Sequence, residues 1–131
     1  MVIVDSSVWI DFLNRRLTLE TGWLLGPGQR ELIGLTSLTL AEVLQGIRFE
    51  NRFRAAQRYF EVMPVFQTMT SALAIQSARN YRALRAIGIT AGGTLDCLLA
   101  TFCIEQNHRL LHCDADFEPF ERELGLKVLH P

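Results

Sequence analysis

"MVIVDSSVWIDF" (residues 1–12) decides how this chain is read. Val2, Ile3 and Val4 are consecutive β-branched residues, the signature of a short strand buried on both faces. The strand ends in Asp5. "SSVWIDFLNRR" then switches to a helical pattern, with Ser6 or Ser7 expected as its N-cap. An acid at a strand-to-helix junction sits on the carboxyl edge of the strand. In an open parallel sheet that edge is where a working cleft lies.

The same alternation continues outward from this start. "TLETGWLLG" predicts a short helix capped by Thr18, closed by the turn "GPGQ". "ELIGLTS" predicts a second strand, followed by a helix over "TSLTLAEVLQGIRF" that starts at Ser37 or Thr39. Residues 50–61 predict another helix, and "VMPVFQ" a third strand or an extended connector, weakened as a strand by Pro64. "TSALAIQSARNYRALRAIG" is amphipathic, with Ala74, Ala78, Tyr81 and Leu84 on one face and Gly88 at its end. After the loop "ITAGG", "TLDCLLATFCIEQN" predicts a helix opened by Thr94. "RLLHC" is a strand, "DADFEPFERELG" a short helical turn and "LKVLH" a final strand. Strand and helix alternate from end to end, which predicts an α/β fold with a mostly parallel sheet. The 131 residues fit one domain, 1–131.

Composition narrows the class. Hydrophobic residues make up 49% of the chain, enough for a real core. No apolar run approaches the roughly 18 residues of a membrane span, and the N-terminus lacks the basic start and cleavage site of a secretory signal. The three cysteines, Cys97, Cys103 and Cys113, show no metal-binding spacing and read as reduced thiols of a cytoplasmic protein. The net charge of −1 does not advertise a nucleic-acid binder. Its distribution says more: all five aspartates, 5, 11, 96, 114 and 116, fall in three short segments.

Asp96 is the most telling of these, because it lies inside the apolar run "GGTLDCLLATF" (92–102). A carboxylate taken from water without a partner costs several kcal/mol or loses its charge. Asp5 and Asp114 end strands, Asp96 opens a helix, and Glu42 lies near the start of the helix after the second strand. Each alone is compatible with a cap, a turn or a solvated helix position. Together they place four acids at one sheet edge. Two unit charges about 4 Å apart repel by roughly 4 kcal/mol at an effective dielectric near 20, so such a cluster calls for protons or a cation. All-oxygen donors select Mg²⁺ or Mn²⁺ over Zn²⁺. Such a site suits in-line displacement at phosphorus.

Four segments in order, "IVDSSVWID" (3–11), "LTLAEVLQG" (38–46), "TLDCLLATF" (94–102) and "LLHCDADF" (110–117), resemble the acidic motifs of PIN-domain ribonucleases, and more narrowly of VapC-type toxins. The resemblance covers essentially the whole chain. It implies a three-layer α/β/α sandwich, Mg²⁺- or Mn²⁺-dependent cleavage of RNA, a homodimer and a VapB-type antitoxin as partner. By position Asp5, Glu42, Asp96 and Asp114 match the family's metal-binding acids and Asp116 a further acid. Ser6 matches the small hydroxyl residue after the first acid. His112 departs from the pattern, standing where many members carry Thr or Ser. Ser6 is a candidate substrate contact; His112 reads first as a packed or hydrogen-bonded neighbour, with contact to a substrate phosphate as its alternative. His108 and His130 read as surface residues.

Arg48, Arg52, Arg54 and Arg58 gather on one helix and Arg79, Arg82 and Arg85 on another. They read as solvated faces or as a positive rim for RNA phosphates. Trp9, Trp23, Phe49, Phe53, Tyr59 and Phe60 read mostly as core, with some left over for a partner groove. A receiver-type signalling domain would need an acidic pair after its first strand, and a DxD phosphatase an acid at position 7; serines stand there instead. A PIN-like binding module without catalysis is disfavoured by the presence of all four acids. A PIN ribonuclease of RNA processing or decay is the nearest alternative to a toxin.

Overall fold

The computed structural model describes residues 1–131 and places five strands in one parallel sheet. The strands are β1 (Val2–Val4), β2 (Ile33–Thr36), β3 (Val65–Phe66), β4 (Arg109–Leu111) and β5 (Lys127–Val128), in the order β3-β2-β1-β4-β5. Val2 pairs with Ile33 on one side and with Arg109 on the other. β1 is therefore central, and its three residues are fully buried, as the run of β-branched side chains requires.

Seven helices cover the sheet: α1 (Ser6–Leu13), α2 (Leu19–Leu25), α3 (Ser37–Gln45), α4 (Glu50–Glu61), α5 (Ser71–Ala86), α6 (Thr94–Glu105) and α7 (Glu118–Leu124). Two cores divide them. Val2, Val4, Leu35 and Leu111 face Trp9, Leu24, Val43 and Phe60 from α1 to α4. Ile3 and Leu110 face Leu84, Leu99, Phe102 and Phe120 from α5 to α7. Alternation along β1 thus feeds both layers, giving the expected three-layer α/β/α sandwich. No helix is long and apolar enough to cross a membrane.

Two local expectations differ from the structure. The N-cap of α1 is Asp5 rather than a serine, its carboxylate accepting from Ser7 N at 3.0 Å. Asp caps as well as Ser does, and β1 stops at Val4, so the chain turns one residue early. α3 starts at Ser37 as expected, and Thr36 caps it, its hydroxyl accepting from Thr39 N at 3.1 Å. On α5 the inward face carries Leu73, Ser77, Tyr81 and Leu84, while Ala74 and Ala78 are exposed. Small alanines gave no strong signal of direction, and the inward Ser77 is explained by α6. Its carbonyl accepts from Cys97 Sγ at 3.3 Å, and Asn80 donates to Thr101 Oγ1 at 3.0 Å in the same seam. The Gly88 stop holds, at φ +83, a conformation open to glycine. "VMPVFQ" contains a strand of two residues at the sheet edge, where Pro64 donates nothing but its carbonyl accepts from Leu35 N.

Candidate functional site

The acids arrive from four elements at the carboxyl edge of the sheet. Asp5 caps α1 and is 3% exposed. Its backbone N–H donates to Leu111 O at 2.9 Å, which ties the β1 end to β4. Asp96 is the third residue of α6, and its Oδ2 accepts from Gly93 N at 3.2 Å. That bond is half of a capping box, since Gly93 has no side chain to return it. Asp114 caps a 3-10 turn over Ala115–Phe117 and accepts from Asp116 N at 2.9 Å. Glu42 lies in the second turn of α3, half-buried.

Asp96, Asp114 and Asp116 bring ligand oxygens within 4.8 Å of one another. Asp5 and Glu42 stand outside that trio but within its field. Burial, then the charges of Asp5 and Asp96, push the Glu42 carboxyl above the usual range; the Ser6 hydroxyl offsets part of this. Burial and then Asp5 push up Asp96, with the Gly93 N–H working against them and Asp114 and Asp116 adding to them. Burial also raises Asp5, opposed by hydrogen bonds from Ser7. Asp96 therefore feels Asp5, Asp114 and Asp116 together. This accounts for a carboxylate inside an apolar helix start: its side chain points to the cleft while Cys97, Leu98 and Leu99 turn into the core.

The chemistry of the donors fits a hard cation. All are oxygens, and three like charges this close repel one another, a cost that a bound cation would relieve. Space is reserved as well. A β-carbon on Gly92 would come within 2.9 Å of both Asp116 Cβ and Asp96 Oδ2, so only glycine leaves this gap open. Gly92 and Ser7 are the site residues that sequence reasoning passed over. The pair of glycines before Asp96 read as a flexible loop, and Ser7 as an alternative cap. An acid two residues before a hydroxyl at a helix start was the available signal for Ser7.

His112 is turned away from solvent. Its Nδ1 accepts from Asp114 N at 3.2 Å, its ring packs 4.9 Å from Phe117, and Nε2 is buried without a partner. Burial holds its pKa below the ordinary value, against the pull of Asp5, Glu121 and Asp114. With Nδ1 accepting, the ring is the neutral Nε2–H tautomer. His108 is half-buried between Phe66 and Phe102 rather than at the surface, and its Nδ1 lies 3.4 Å from the N-terminal amine. His130 is exposed and meets Glu121 at 2.8 Å.

A prominent groove lies away from the acids. It holds about 810 Å³ and is lined by Phe12, Arg15, Arg48, Phe49, Arg52 and Tyr59 among others. A second hollow of about 360 Å³ shares Phe12, Leu13 and Arg15 with it and continues to Leu17 and Leu25. Trp9 and Phe60 are core, but Phe49 is 64% exposed and Tyr59 40%. Arg54 pairs with Glu50 at 3.1 Å; Arg15, Arg48 and Arg52 have no carboxylate partner, and Arg52 stacks over Phe49 at 5.9 Å. The groove sits at the C-terminal ends of α1 and α3; Asp5 lies at the opposite end of α1, while Glu42 lies one turn before Gly46. Along the eight residues of α1 the groove is about 12 Å from Asp5.

The fold and site define a class: an α/β/α sandwich on a parallel sheet with a cluster of acids at its carboxyl edge. A profile of the PIN domain matches residues 2–122, and the chain belongs to the PIN domain family. Among curated proteins it is similar to "VapC ribonuclease Mb1587" of Mycobacterium bovis and "Ribonuclease VapC11" of Mycobacterium tuberculosis. Each is 26% identical over 135 residues, covering 98% of this chain and 97% of the relative. Among solved structures it resembles VapBC2 from Rickettsia felis bound to a promoter DNA fragment, with TM-score 0.75, 18% identity and 98% of each chain covered. FitAcB from Neisseria gonorrhoeae matches with TM-score 0.72 at 15% identity, over 100% of this chain and 98% of that one. A toxin–antitoxin complex from Klebsiella pneumoniae matches with TM-score 0.74 at 12% identity, over 100% of this chain and 98% of that one. At these identities the structures establish the fold.

Proposed function

We propose that this protein is a divalent-metal-dependent endoribonuclease of the VapC type, the toxin of a toxin–antitoxin pair. The observation that carries the reading is the convergence of Asp96, Asp114 and Asp116, ligand oxygens within 4.8 Å, in a PIN-family chain. The full-length match to relatives named VapC ribonucleases supports the substrate class and the toxin role.

In this reading Asp5, Glu42, Asp96 and Asp114 hold Mg²⁺ or Mn²⁺, with Asp116 beside them. When bound, the metal supplies an acidified water as nucleophile and positive charge against the phosphoryl oxygens. The chain's part is placement. The Gly93 N–H orients Asp96, and Ser7 orients Asp5. Ser6, close to Glu42, stays a proposed substrate contact. His112, with Nδ1 engaged and Nε2 enclosed, acts on substrate only through the Asp114 loop that it braces.

The proposed partner is a VapB-type antitoxin, and the groove at α1, α3 and α4 is its proposed seat. Exposed Phe49 and Tyr59 suit an apolar helix, and the unpaired Arg15, Arg48 and Arg52 suit acidic residues on it. The solved relatives named as toxin–antitoxin complexes favour this occupant. A homodimer and a cytoplasmic location complete the reading; three free thiols fit a reducing compartment.

The test is cleavage of total cellular RNA by purified protein, with Mg²⁺ or with EDTA, beside Asp5→Asn. Metal-dependent cleavage that the variant lacks is expected. Cleavage that survives both EDTA and Asp5→Asn would reject the metal mechanism, and a wild-type protein inert on every RNA class, with its antitoxin removed, would reject the nuclease.

A further inference from the structure

Three hydrogen bonds meet at one small residue, two of them at its hydroxyl. Ser7 Oγ donates to Asp5 Oδ2 at 2.5 Å, and Ser7 N donates to the same oxygen at 3.0 Å. Cys113 N donates to Ser7 Oγ at 3.3 Å, from 106 residues further along the chain. A hydroxyl has one proton and two lone pairs. Here the proton is committed to Asp5, and one lone pair to the backbone of the loop that carries Asp114.

We propose that Ser7 is a positioning residue of the acidic site, fixing the Asp5 carboxylate and tying it to the Asp114 loop; this rests on the metal reading above. Ser7 uses only Oδ2 of Asp5. With Oδ2 held by two donors, the carboxylate cannot rotate about its terminal torsion, and Oδ1 keeps one direction. That is the function of the groups that orient ligands at metal sites, whose loss weakens metal binding by about 10- to 100-fold.

The second bond gives Ser7 a role that an ordinary cap lacks. The Asp114 loop has few ties of its own. Asp114 N is taken by His112 of the same loop, and Asp116 N by the Asp114 carboxylate. Both of these bonds are local and move with the loop. The bond from Cys113 N to Ser7 instead fixes the loop to the N-terminus of α1. Asp5 N to Leu111 O fixes the strand ends just before it. The two together set the spacing between the Asp5 side and the Asp114 side of the cleft. Ser6, next in sequence to Asp5, makes no such link; it lies against Glu42.

The experiment measures Mn²⁺ binding by calorimetry, and thermal melting in EDTA, for wild type, Ser7→Ala, Ser7→Val and Ser7→Thr. Val and Thr share a shape and differ in the hydroxyl. The expected result is Mn²⁺ affinity reduced about 10-fold or more in Ser7→Ala and Ser7→Val, and within about threefold of wild type in Ser7→Thr. Metal-free melting of Ser7→Ala should stay within a few degrees of wild type. Ser7→Ala binding Mn²⁺ within twofold of wild type would overturn the proposal. So would a Ser7→Ala chain that fails to fold while Ser7→Thr folds, since the hydroxyl would then be structural. Wild-type protein that binds no Mn²⁺ would overturn the metal reading itself, a result visible before any Ser7 variant is compared.

Discussion

A β-carbon at Gly92 would stand 2.9 Å from Asp96 Oδ2, closer than side-chain carbons approach one another's neighbours in real structures. The backbone of Gly92 is not left-handed, so an alanine there is tolerated by the main chain. What it removes is room between Asp96 and Asp116. Gly92→Ala is expected to fold normally and to bind Mn²⁺ about 10-fold more weakly, as loss of an orienting neighbour does. Calorimetric titration beside a thermal melt checks this; unchanged affinity would mean the two acids can part at no cost.

The acids should make the metal-free protein sensitive to pH in an unusual direction. The pKa values of Asp5, Glu42 and Asp96 are raised, chiefly by burial. A carboxyl whose folded pKa exceeds its unfolded one binds more protons in the native state. Stability is then fully present below the ordinary carboxylate range near 4 and falls as pH rises through the folded values. Asp5→Asn should therefore raise the melting temperature of the EDTA-treated protein at pH 7.5, with the gain shrinking toward pH 4. A variant that melts lower than wild type at pH 7.5 would contradict the assignment of Asp5 as a destabilised buried charge.

Mg²⁺ or Mn²⁺ should reverse that penalty. Ligands that bind only the folded state stabilise it by mass action. Adding Mn²⁺ should raise the melting temperature of wild type and leave Asp5→Asn or Asp96→Asn nearly unmoved. Differential scanning at two metal concentrations distinguishes this from a general salt effect, for which Ca²⁺-free NaCl of equal ionic strength is the control.

Phe60 carries the α4 side of one core. It is 1% exposed and meets Trp9 edge-on, centroids 5.1 Å apart. Phe60→Ala should cost about 3–5 kcal/mol in urea denaturation, the usual range for a large aromatic truncated in a packed core. A loss below about 1 kcal/mol would mean that the aromatic cluster recloses over the gap.

Arg52 tests the groove apart from the chemistry. Its guanidinium stacks on exposed Phe49 and has no carboxylate partner. Arg52→Glu should weaken capture of the cognate antitoxin at least tenfold while leaving RNA cleavage by the free protein within about twofold, because Arg52 lies on α4, which carries none of the acids of the site. Equal loss of both would show that the groove handles RNA.

By itself the sequence determined the alternation of strands and helices, the buried central strand, and the set of acids at strand and helix ends. These follow from local rules: period of the apolar residues, capping chemistry, and the restriction of Asp to a few places. α4 runs over Glu50–Glu61 as its pattern predicts, and the Gly88 stop follows from backbone freedom. Tertiary structure decided what depends on distance between remote segments. It turned Ser77 of α5 toward α6, where its main-chain carbonyl accepts from Cys97 Sγ. It separated Asp96, Asp114 and Asp116 from Asp5 and Glu42 within one cleft. It brought Cys113 to Ser7 across 106 residues of chain, and left Phe49 and Arg52 outside both cores. Local pattern specifies which faces are apolar and which residues can carry charge. Only packing selects which of those faces meet, and how far apart the charges come to rest.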